Sequence, residues 1–122
     1  MKVCVIGSGL TSLTLAKTLV NQGIYVDVFS NFKTKKLDKS RTLSISKSNI
    51  DFYNSNVLNI ERLLWKINKI EIYNKFHQNE KILNFNDKNQ LFSVIKNFKL
   101  YILIISNLKK SSLFKIKKIQ NN

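Results

Sequence analysis

The stretch Val3-Cys4-Val5-Ile6-Gly7-Ser8-Gly9-Leu10-Thr11-Ser12 decides the fold of this chain. A short apolar run stops at two glycines with Gly-x-Gly spacing, and apolar residues at helical spacing follow at once. This order predicts a strand, a tight turn and the N-terminus of a helix. Gly7 can adopt the backbone angles of such a turn, and Gly9 has no side chain to keep a phosphate away from the backbone. The stretch therefore predicts a cradle for a pyrophosphate, which the free N–H groups of the helix would hold.

The next residues complete a strand–helix–strand unit. Apolar residues recur at helical spacing over residues 10–20, Gly23 stands where a glycine ends a helix, and residues 25–29 are typical of a second strand. A βαβ unit of about 30 residues with glycines in its first turn is the context of the dinucleotide fingerprint. We predict an α/β fold with a Rossmann-type βαβ core of two parallel strands over residues 1–30. The alternative is an ordinary βα turn that uses glycine for its geometry alone.

Two positions depart from the dinucleotide fingerprint. Ser12 occupies the place of the third glycine and is small enough to keep the helix packed closely on the strand. Ser30 occupies the place of the acidic residue that holds the ribose hydroxyls, so it is the predicted but weaker ribose contact. Three basic residues follow that would favour a 2′-phosphate on the ribose: Lys33, Lys35 and Lys36.

The chain has 122 residues and a formal net charge of +14, from 21 basic and 7 acidic residues. This length allows one domain, and the charge by itself indicates an anionic partner such as a nucleic acid or a membrane surface. The lysines are scattered, however, and the 19 lysines, 16 asparagines and 15 isoleucines all have codons that an AT-rich genome favours. We therefore expect no specific nucleic-acid partner, and a basic nucleic-acid-binding domain stays an alternative.

Cysteine usage and hydropathy indicate a cytoplasmic protein. Cys4 is the only cysteine, so no intrachain disulfide forms, and its place in the first strand predicts a buried side chain. The first strand follows the initial Met1 directly, so we expect no signal peptide. The longest strictly apolar run, residues 100–105, is too short to span a bilayer. If the chain meets a membrane, we therefore expect peripheral association with its inner face.

The remainder of the chain predicts short elements with no linker and no repeat. Apolar spacing indicates further helices, over residues 48–58, 60–65 and 98–108. Apolar or alternating runs indicate further strands, over residues 67–73, 82–85, 92–95 and 113–116. Ser48 is the predicted N-cap of the first of these helices, and Asn86-Asp87-Lys88-Asn89 is a predicted turn.

No group of residues has the pattern of a catalytic site. His77 is the only histidine, and it has no cysteine or carboxylate cluster around it in the sequence, which argues against a metal site and a histidine-based triad. Trp65 is predicted to belong to the core. No catalytic acid or base can be named from the sequence.

Several separated segments resemble one family. Val5-Ile6-Gly7-Ser8-Gly9-Leu10-Thr11-Ser12-Leu13-Thr14-Leu15-Ala16 resembles the N-terminus of FAD-dependent aromatic hydroxylases, most closely the ubiquinone-biosynthesis hydroxylases, which are relatives of para-hydroxybenzoate hydroxylase. Arg41-Thr42-Leu43-Ser44-Ile45-Ser46 is similar to the Arg-x-x-x-Leu-Ser stretch of that group. Residues 67–75 and 91–108 resemble later segments, so the resemblance covers most of the chain, although only the first motif is specific.

The resemblance implies FAD as cofactor, NAD(P)H as electron donor and a small aromatic molecule as the substrate of the intact enzyme. It implies that Arg41 lies close to the flavin. The predicted pyrophosphate contacts are Gly7, Gly9 and the N–H groups near Leu10 and Thr11, and Ser8 and Ser12 of the same stretch are further predicted cofactor-binding residues. The family also has later Asp-Gly and Gly-Asp-rich flavin motifs, whereas the last glycine here is Gly23. Residues 1–122 are therefore expected to be a single, truncated FAD-binding domain, inactive and marginally stable alone. A non-catalytic NAD- or ADP-binding module is the alternative.

Overall fold

The computed structural model describes residues 1–31, 38–76, 80–86, 88 and 91–119. The strands lie at β1 Lys2–Ile6, β2 Tyr25–Ser30, β3 Thr42–Ile45, β4 Leu64–Ile67, β5 Lys69–Tyr73, β6 Lys81–Asn86, β7 Phe92–Lys96 and β8 Phe114–Lys118. The helices lie at α1 Leu10–Asn21, α2 Lys47–Phe52 and α3 Asn97–Lys109. A π-helical turn, Tyr53–Val57, extends α2, and a 3₁₀ turn, Glu61–Leu63, precedes β4.

A parallel sheet with the strand order β1-β2-β8 carries the N-terminal unit. Val5 lies opposite Val28, and Val26 lies opposite Phe114. These four side chains are buried in the same core cluster as the inner faces of α1 and α3. Because side chains alternate along a strand, the residues between them point to the other side of the sheet. The predicted α/β fold and the parallel pairing of the first two strands are both confirmed.

Helix α1 forms where the apolar spacing places it. Leu13 and Ala16 are fully buried, whereas Leu15 is 50% exposed on the outer side of the helix. The helix ends at Asn21, and Gly23 follows its C-cap Gln22; the Gly23 N–H donates to the Val20 carbonyl at 3.0 Å, and its φ of +78° lies in the left-handed region. This glycine turn reverses the chain directly into β2.

A second, antiparallel sheet with the order β3-β7-β4 packs on the same core, and β5 and β6 form a separate hairpin. Ile45 of β3 and Ile95 of β7 are both buried in the core cluster. Asn21, the last residue of α1, donates its side-chain amide to the carbonyls of Asn56 and Val57, each at 2.8 Å. The π-helical turn is therefore fastened to the end of α1.

Two predictions of burial are wrong. Cys4 is exposed because β1 alternates, so that Val3 and Val5 turn towards the helices and Cys4 turns away. Trp65 is 59% exposed because it lies opposite Val94 on the face of the sheet away from the buried Ile95, and the Lys96 ammonium lies 5.8 Å from its ring centroid. In both cases the alternation of a strand decides the exposure, not the apolar character of the residue.

Three predicted element boundaries also need correction. The first predicted helix, 48–58, begins one residue earlier, as α2. Its N-cap is Ser46 and not Ser48, because the Ser46 hydroxyl accepts the Asn49 N–H at 3.3 Å. The second half of the predicted helix is the π-helical turn. The predicted helix over 60–65 is a single 3₁₀ turn followed by β4, and the predicted strand over 67–73 divides at Asn68 into β4 and β5, which belong to different sheets.

Some predictions fall outside the described residues: those for Lys33, Lys35, Lys36 and His77, and the Asp87 and Asn89 positions of the predicted turn. Within the described ranges, no helix is both long enough and apolar enough to cross a membrane.

Candidate functional site

The glycine loop, residues 7–9, joins the end of β1 to the start of α1. Gly7 has a φ of +102°, which side-chain-bearing residues rarely adopt, and its N–H donates to the Phe29 carbonyl at 2.7 Å. A Cβ at this position would also lie 3.4 Å from the Ser12 hydroxyl oxygen. Gly7 is therefore required by the turn itself, which ties the loop to β2.

Gly9 has a different reason to be glycine. Its φ of −73° and ψ of 173° are extended angles that any residue adopts, and a Cβ built on it meets no atom within 4 Å. Neither the backbone nor a neighbouring side chain requires glycine here. What the missing side chain provides is open space directly in front of the helix N-terminus, and a pyrophosphate group fits a cradle of this kind.

The N-terminus of α1 offers unpaired donors to this space. Leu13 is the first residue whose N–H is bonded within the helix, to the Gly9 carbonyl at 3.0 Å. The N–H groups of Leu10, Thr11 and Ser12 precede it and have no carbonyl one turn earlier. Gly9 provides no side-chain cap, and the first turn contains no acidic residue. The positive end of the helix dipole therefore faces the loop without a competing anion from the helix itself.

The structure brings Ser8 and Ser30 together. Their hydroxyl oxygens are 2.6 Å apart, and Ser30 is only 5% exposed at the carboxyl end of β2. The end of β2 is thus adjacent to the glycine loop, as the fingerprint requires. The Ser30 hydroxyl already has Ser8 as its partner, so a ribose hydroxyl would have to share this bond or replace it. The ribose role of Ser30 stays a prediction.

Arg41 lies just before β3 and is exposed. Its carbonyl accepts the Asn97 N–H at 3.0 Å, which fixes the backbone at the point where β3 meets α3. Among the described residues, no hydrogen bond or ion pair joins Arg41 to the glycine loop. Its place near a flavin is therefore a prediction that rests on the resemblance alone.

Asp27 is a buried charge that no sequence motif marks as a site residue. It is 4% exposed in the middle of β2, and its Oδ2 lies 2.9 Å from the Lys2 ammonium and 2.7 Å from the Lys117 ammonium. The hydrogen bonds from Lys117 and Lys2 hold the pKa of Asp27 below its usual value of 3.8. One carboxylate thus links all three strands of the parallel sheet. An aspartate inside the apolar run Tyr25-Val26-Asp27-Val28-Phe29 indicates a charged partner, because a buried carboxylate needs one.

Acid should lower the stability of the folded chain by protonating the Asp27 carboxylate. Because the pKa of Asp27 is lowered in the folded chain, its stabilisation is present above about pH 4 and is lost as the pH falls through the lowered pKa. Glu71, whose pKa is lowered to about 2 by hydrogen bonds from Lys81, Lys69 and Tyr73, contributes in the same pH range. We expect Asp27→Asn to lower the urea midpoint at pH 7 and to reduce its fall between pH 5 and pH 3.

Asp51→Asn is the matched control, since it makes the same change at an exposed carboxylate of α2 without touching the parallel sheet. Urea unfolding followed by circular dichroism at several pH values distinguishes the two variants. An Asp27→Asn protein with the wild-type midpoint at pH 7 would contradict a stabilising role for the carboxylate.

Comparisons with known proteins concern the fold. No family model and no curated protein matches the chain. Among solved structures, p-nitrophenol 4-monooxygenase PnpA from Pseudomonas putida DLL-E4 superposes with a TM-score of 0.77 at 14% identity, covering 96% of this chain and 32% of its own. PqsL from Pseudomonas aeruginosa, described as a probable FAD-dependent monooxygenase, gives a TM-score of 0.76 at 17% identity, covering 97% of this chain and 32% of its own.

Klebsiella pneumoniae HpxO, solved with FAD and uric acid, gives a TM-score of 0.72 at 18% identity over 95% of this chain and 30% of its own. The chain therefore spans about a third of the length of these proteins. At these identities the similarity shows the fold alone: the chain has the α/β fold of about a third of these monooxygenases.

Proposed function

We propose that this chain is the FAD-binding segment of a flavin-dependent monooxygenase that hydroxylates an aromatic ring. The observation that carries the proposal is the open space at Gly9 in front of the unpaired N–H groups of α1. Binding the pyrophosphate of a dinucleotide has three requirements. They are space for a dianionic group, N–H donors that point into this space, and a βαβ unit that carries the loop. The fold shared with flavin monooxygenases favours FAD among the dinucleotides.

Each residue of the site would have a separate role. Gly7 sets the turn, and Gly9 with the N–H groups of residues 10–12 would hold the pyrophosphate. The Ser8–Ser30 pair would meet the ribose, and Arg41 would lie on the flavin side. FAD, when bound, would supply the redox chemistry that activates molecular oxygen, while the protein binds and orients the cofactor.

The finer parts of the proposal rest on the sequence resemblance. They are a role in ubiquinone biosynthesis, NAD(P)H as electron donor, a cytoplasmic location with peripheral membrane association, and residues 1–122 as one FAD-binding domain. The resemblance of Arg41-Thr42-Leu43-Ser44-Ile45-Ser46 to the ubiquinone-hydroxylase stretch supports the first of these. Because the chain spans about a third of the monooxygenases it superposes on, substrate and turnover are proposed for the whole enzyme.

A second candidate function is a non-catalytic module that binds NAD or ADP. The glycine loop and the N-terminus of α1 suit any adenine dinucleotide. Because Ser30 stands where the fingerprint has an acidic residue, the ribose contact discriminates less strongly between such ligands. This candidate differs from the first in predicting no preference for the flavin half of the ligand.

Titration of the purified 122-residue chain tests both candidates. We expect FAD to bind with quenching of its flavin fluorescence, ADP to compete with it, and NAD to bind more weakly than FAD. Equal affinities for FAD, NAD and ADP would favour the non-catalytic module. Failure of all three to bind at millimolar concentration would overturn both. Strongly salt-dependent binding of random-sequence DNA would instead favour the basic nucleic-acid-binding alternative.

A further inference from the structure

The first turn of α1 has no capping side chain of its own. Gly9 is the N-cap, and it has no side chain that could accept an N–H of this turn. The N–H groups of Leu10, Thr11 and Ser12 are therefore left to a ligand, but a helix end without a cap is also prone to fray. A contact from elsewhere in the fold is needed to keep these donors in place.

Two side-chain hydroxyl groups hold this turn from the side. The Thr14 hydroxyl donates to the Leu10 carbonyl at 2.8 Å, and its oxygen lies 2.9 Å from the Tyr53 hydroxyl oxygen. A hydroxyl has one proton to donate, so Thr14, which donates to Leu10, accepts from Tyr53. The three groups form a hydroxyl chain that runs from Tyr53 through Thr14 to the Leu10 carbonyl.

The hydroxyl chain ends on a peptide group that belongs to the pyrophosphate cradle. The Leu10 carbonyl and the Thr11 N–H are the two ends of one planar peptide group, and this N–H lies in the first turn of α1, where helical donors have no intrahelical partner. A hydrogen bond accepted by the carbonyl polarises the peptide, and successive bonds in a chain strengthen one another. The Thr11 N–H is thereby held in one orientation and made a stronger donor.

Tyr53 is itself fixed by its surroundings. It begins the π-helical turn, and its carbonyl accepts the Leu58 N–H at 2.9 Å. Its ring packs against the core cluster and meets the Phe52 ring edge to face, with the two centroids 6.3 Å apart. The other end of the turn is fastened to Asn21. The hydroxyl that starts the chain therefore comes from a segment that is held at both ends.

We propose that Tyr53 is a positioning residue for the pyrophosphate, which acts through Thr14 on the Thr11 N–H. The inference rests on the proposed function and deepens it at one contact of the same site. Thr18 provides an internal comparison, because its hydroxyl donates to the Thr14 carbonyl at 3.0 Å in the same manner. That carbonyl shares its peptide with the Leu15 N–H, which is bonded within the helix and is not free to meet a ligand.

Removal of the Tyr53 hydroxyl from the full chain tests the proposal. Tyr53→Phe keeps the ring and its packing, so the fold should be retained. We expect the FAD dissociation constant to rise about three- to tenfold, which corresponds to the loss of one hydrogen bond. Inorganic pyrophosphate, used as a competitor of FAD, should lose affinity by the same factor. In NMR spectra of the ligand-free chain, the Thr11 amide proton should move to higher field, because its N–H is less polarised.

Two threonine variants separate positioning from stability. Thr14→Val breaks the hydroxyl chain in its middle and should weaken FAD binding at least as much as Tyr53→Phe does. Adding Tyr53→Phe to Thr14→Val should cause no further loss, because the chain is already broken. Thr18→Val removes the same kind of hydrogen bond one turn later in the helix. It should lower the urea midpoint as much as Thr14→Val does and leave the FAD affinity unchanged.

The outcomes distinguish this inference from the proposed function on which it rests. Wild-type FAD affinity in Tyr53→Phe, an unmoved Thr11 amide proton, additive losses in the double variant, or an equal loss of affinity in Thr18→Val would each overturn the role of Tyr53. Each of these results would leave the proposed function intact. A wild-type chain that binds none of FAD, NAD and ADP would overturn the proposed function and this inference together.

Discussion

Replacing Gly9 with aspartate should strongly weaken nucleotide binding while leaving the helix as stable as before, or more so. Aspartate is among the preferred N-cap residues, its charge is favourable at the helix N-terminus, and the Gly9 backbone angles accept any side chain. The same carboxylate would enter the open space at Gly9 and repel a pyrophosphate. We expect the FAD dissociation constant to rise at least tenfold, which corresponds to about 1.4 kcal/mol or more of lost binding free energy.

Gly9→Asn is the matched control for charge. Asparagine has nearly the size and capping ability of aspartate without its charge, so it isolates the steric part of the loss. Gly9→Asp should lose more FAD affinity than Gly9→Asn, and this difference should shrink as salt is added, because salt screens the repulsion between the carboxylate and the pyrophosphate. Urea unfolding measures the stability of each variant. If Gly9→Asp bound FAD with the wild-type affinity, the glycine loop would not be part of the binding site.

Leu13→Ala should be the most damaging single change to the fold. Leu13 is fully buried on the inner face of α1, against the parallel sheet and α3. Truncation of a buried leucine costs about 2–5 kcal/mol, because apolar contacts are lost and a cavity remains. The free energy of unfolding of a domain is only about 5–15 kcal/mol, so Leu13→Ala would remove a large part of it. Thermal unfolding should show a much lower or absent transition.

Leu15→Ala makes the same change two residues away. Leu15 is 50% exposed, and substitutions at exposed sites usually stay within about 0.5 kcal/mol. Equal losses of stability in the two variants would mean that α1 does not pack by the face described. A high-temperature, cooperative transition in the wild-type chain would contradict the expectation that this short chain is only marginally stable.

The N-terminal unit was predictable because its signals are local. The apolar run, the two glycines, the spacing of Leu13 and Ala16 and the glycine at position 23 all act within about 30 residues. The same locality explains why the strand predicted over residues 25–29, which includes Asp27, is confirmed as β2. What the sequence did not show was the pairing of Asp27 with Lys117, which depends on a strand 90 residues away.

The two incorrect predictions of burial share one physical cause. Cys4 and Trp65 were placed in the core by residue type, but each points to the face of its sheet that is turned away from the core cluster. Which face of a strand meets the core follows from the packing of the whole sheet, which residue type alone does not encode. Ser46 replaced Ser48 as the cap of α2 for a smaller reason, since both serines stand within one turn of the helix start and their hydroxyls are 3.0 Å apart.

The place of β8 beside β2 sets the order in which the chain can fold. The βαβ unit is made first, yet the outer side of β2 has no strand to pair with until Phe114–Lys118 has been synthesised. At about 5–20 residues per second, the intervening stretch takes on the order of 5–20 s to make. During that interval the edge of β2 that later pairs with β8 has no partner from this strand, so the synthesis of Phe114–Lys118 governs when the parallel sheet can be completed.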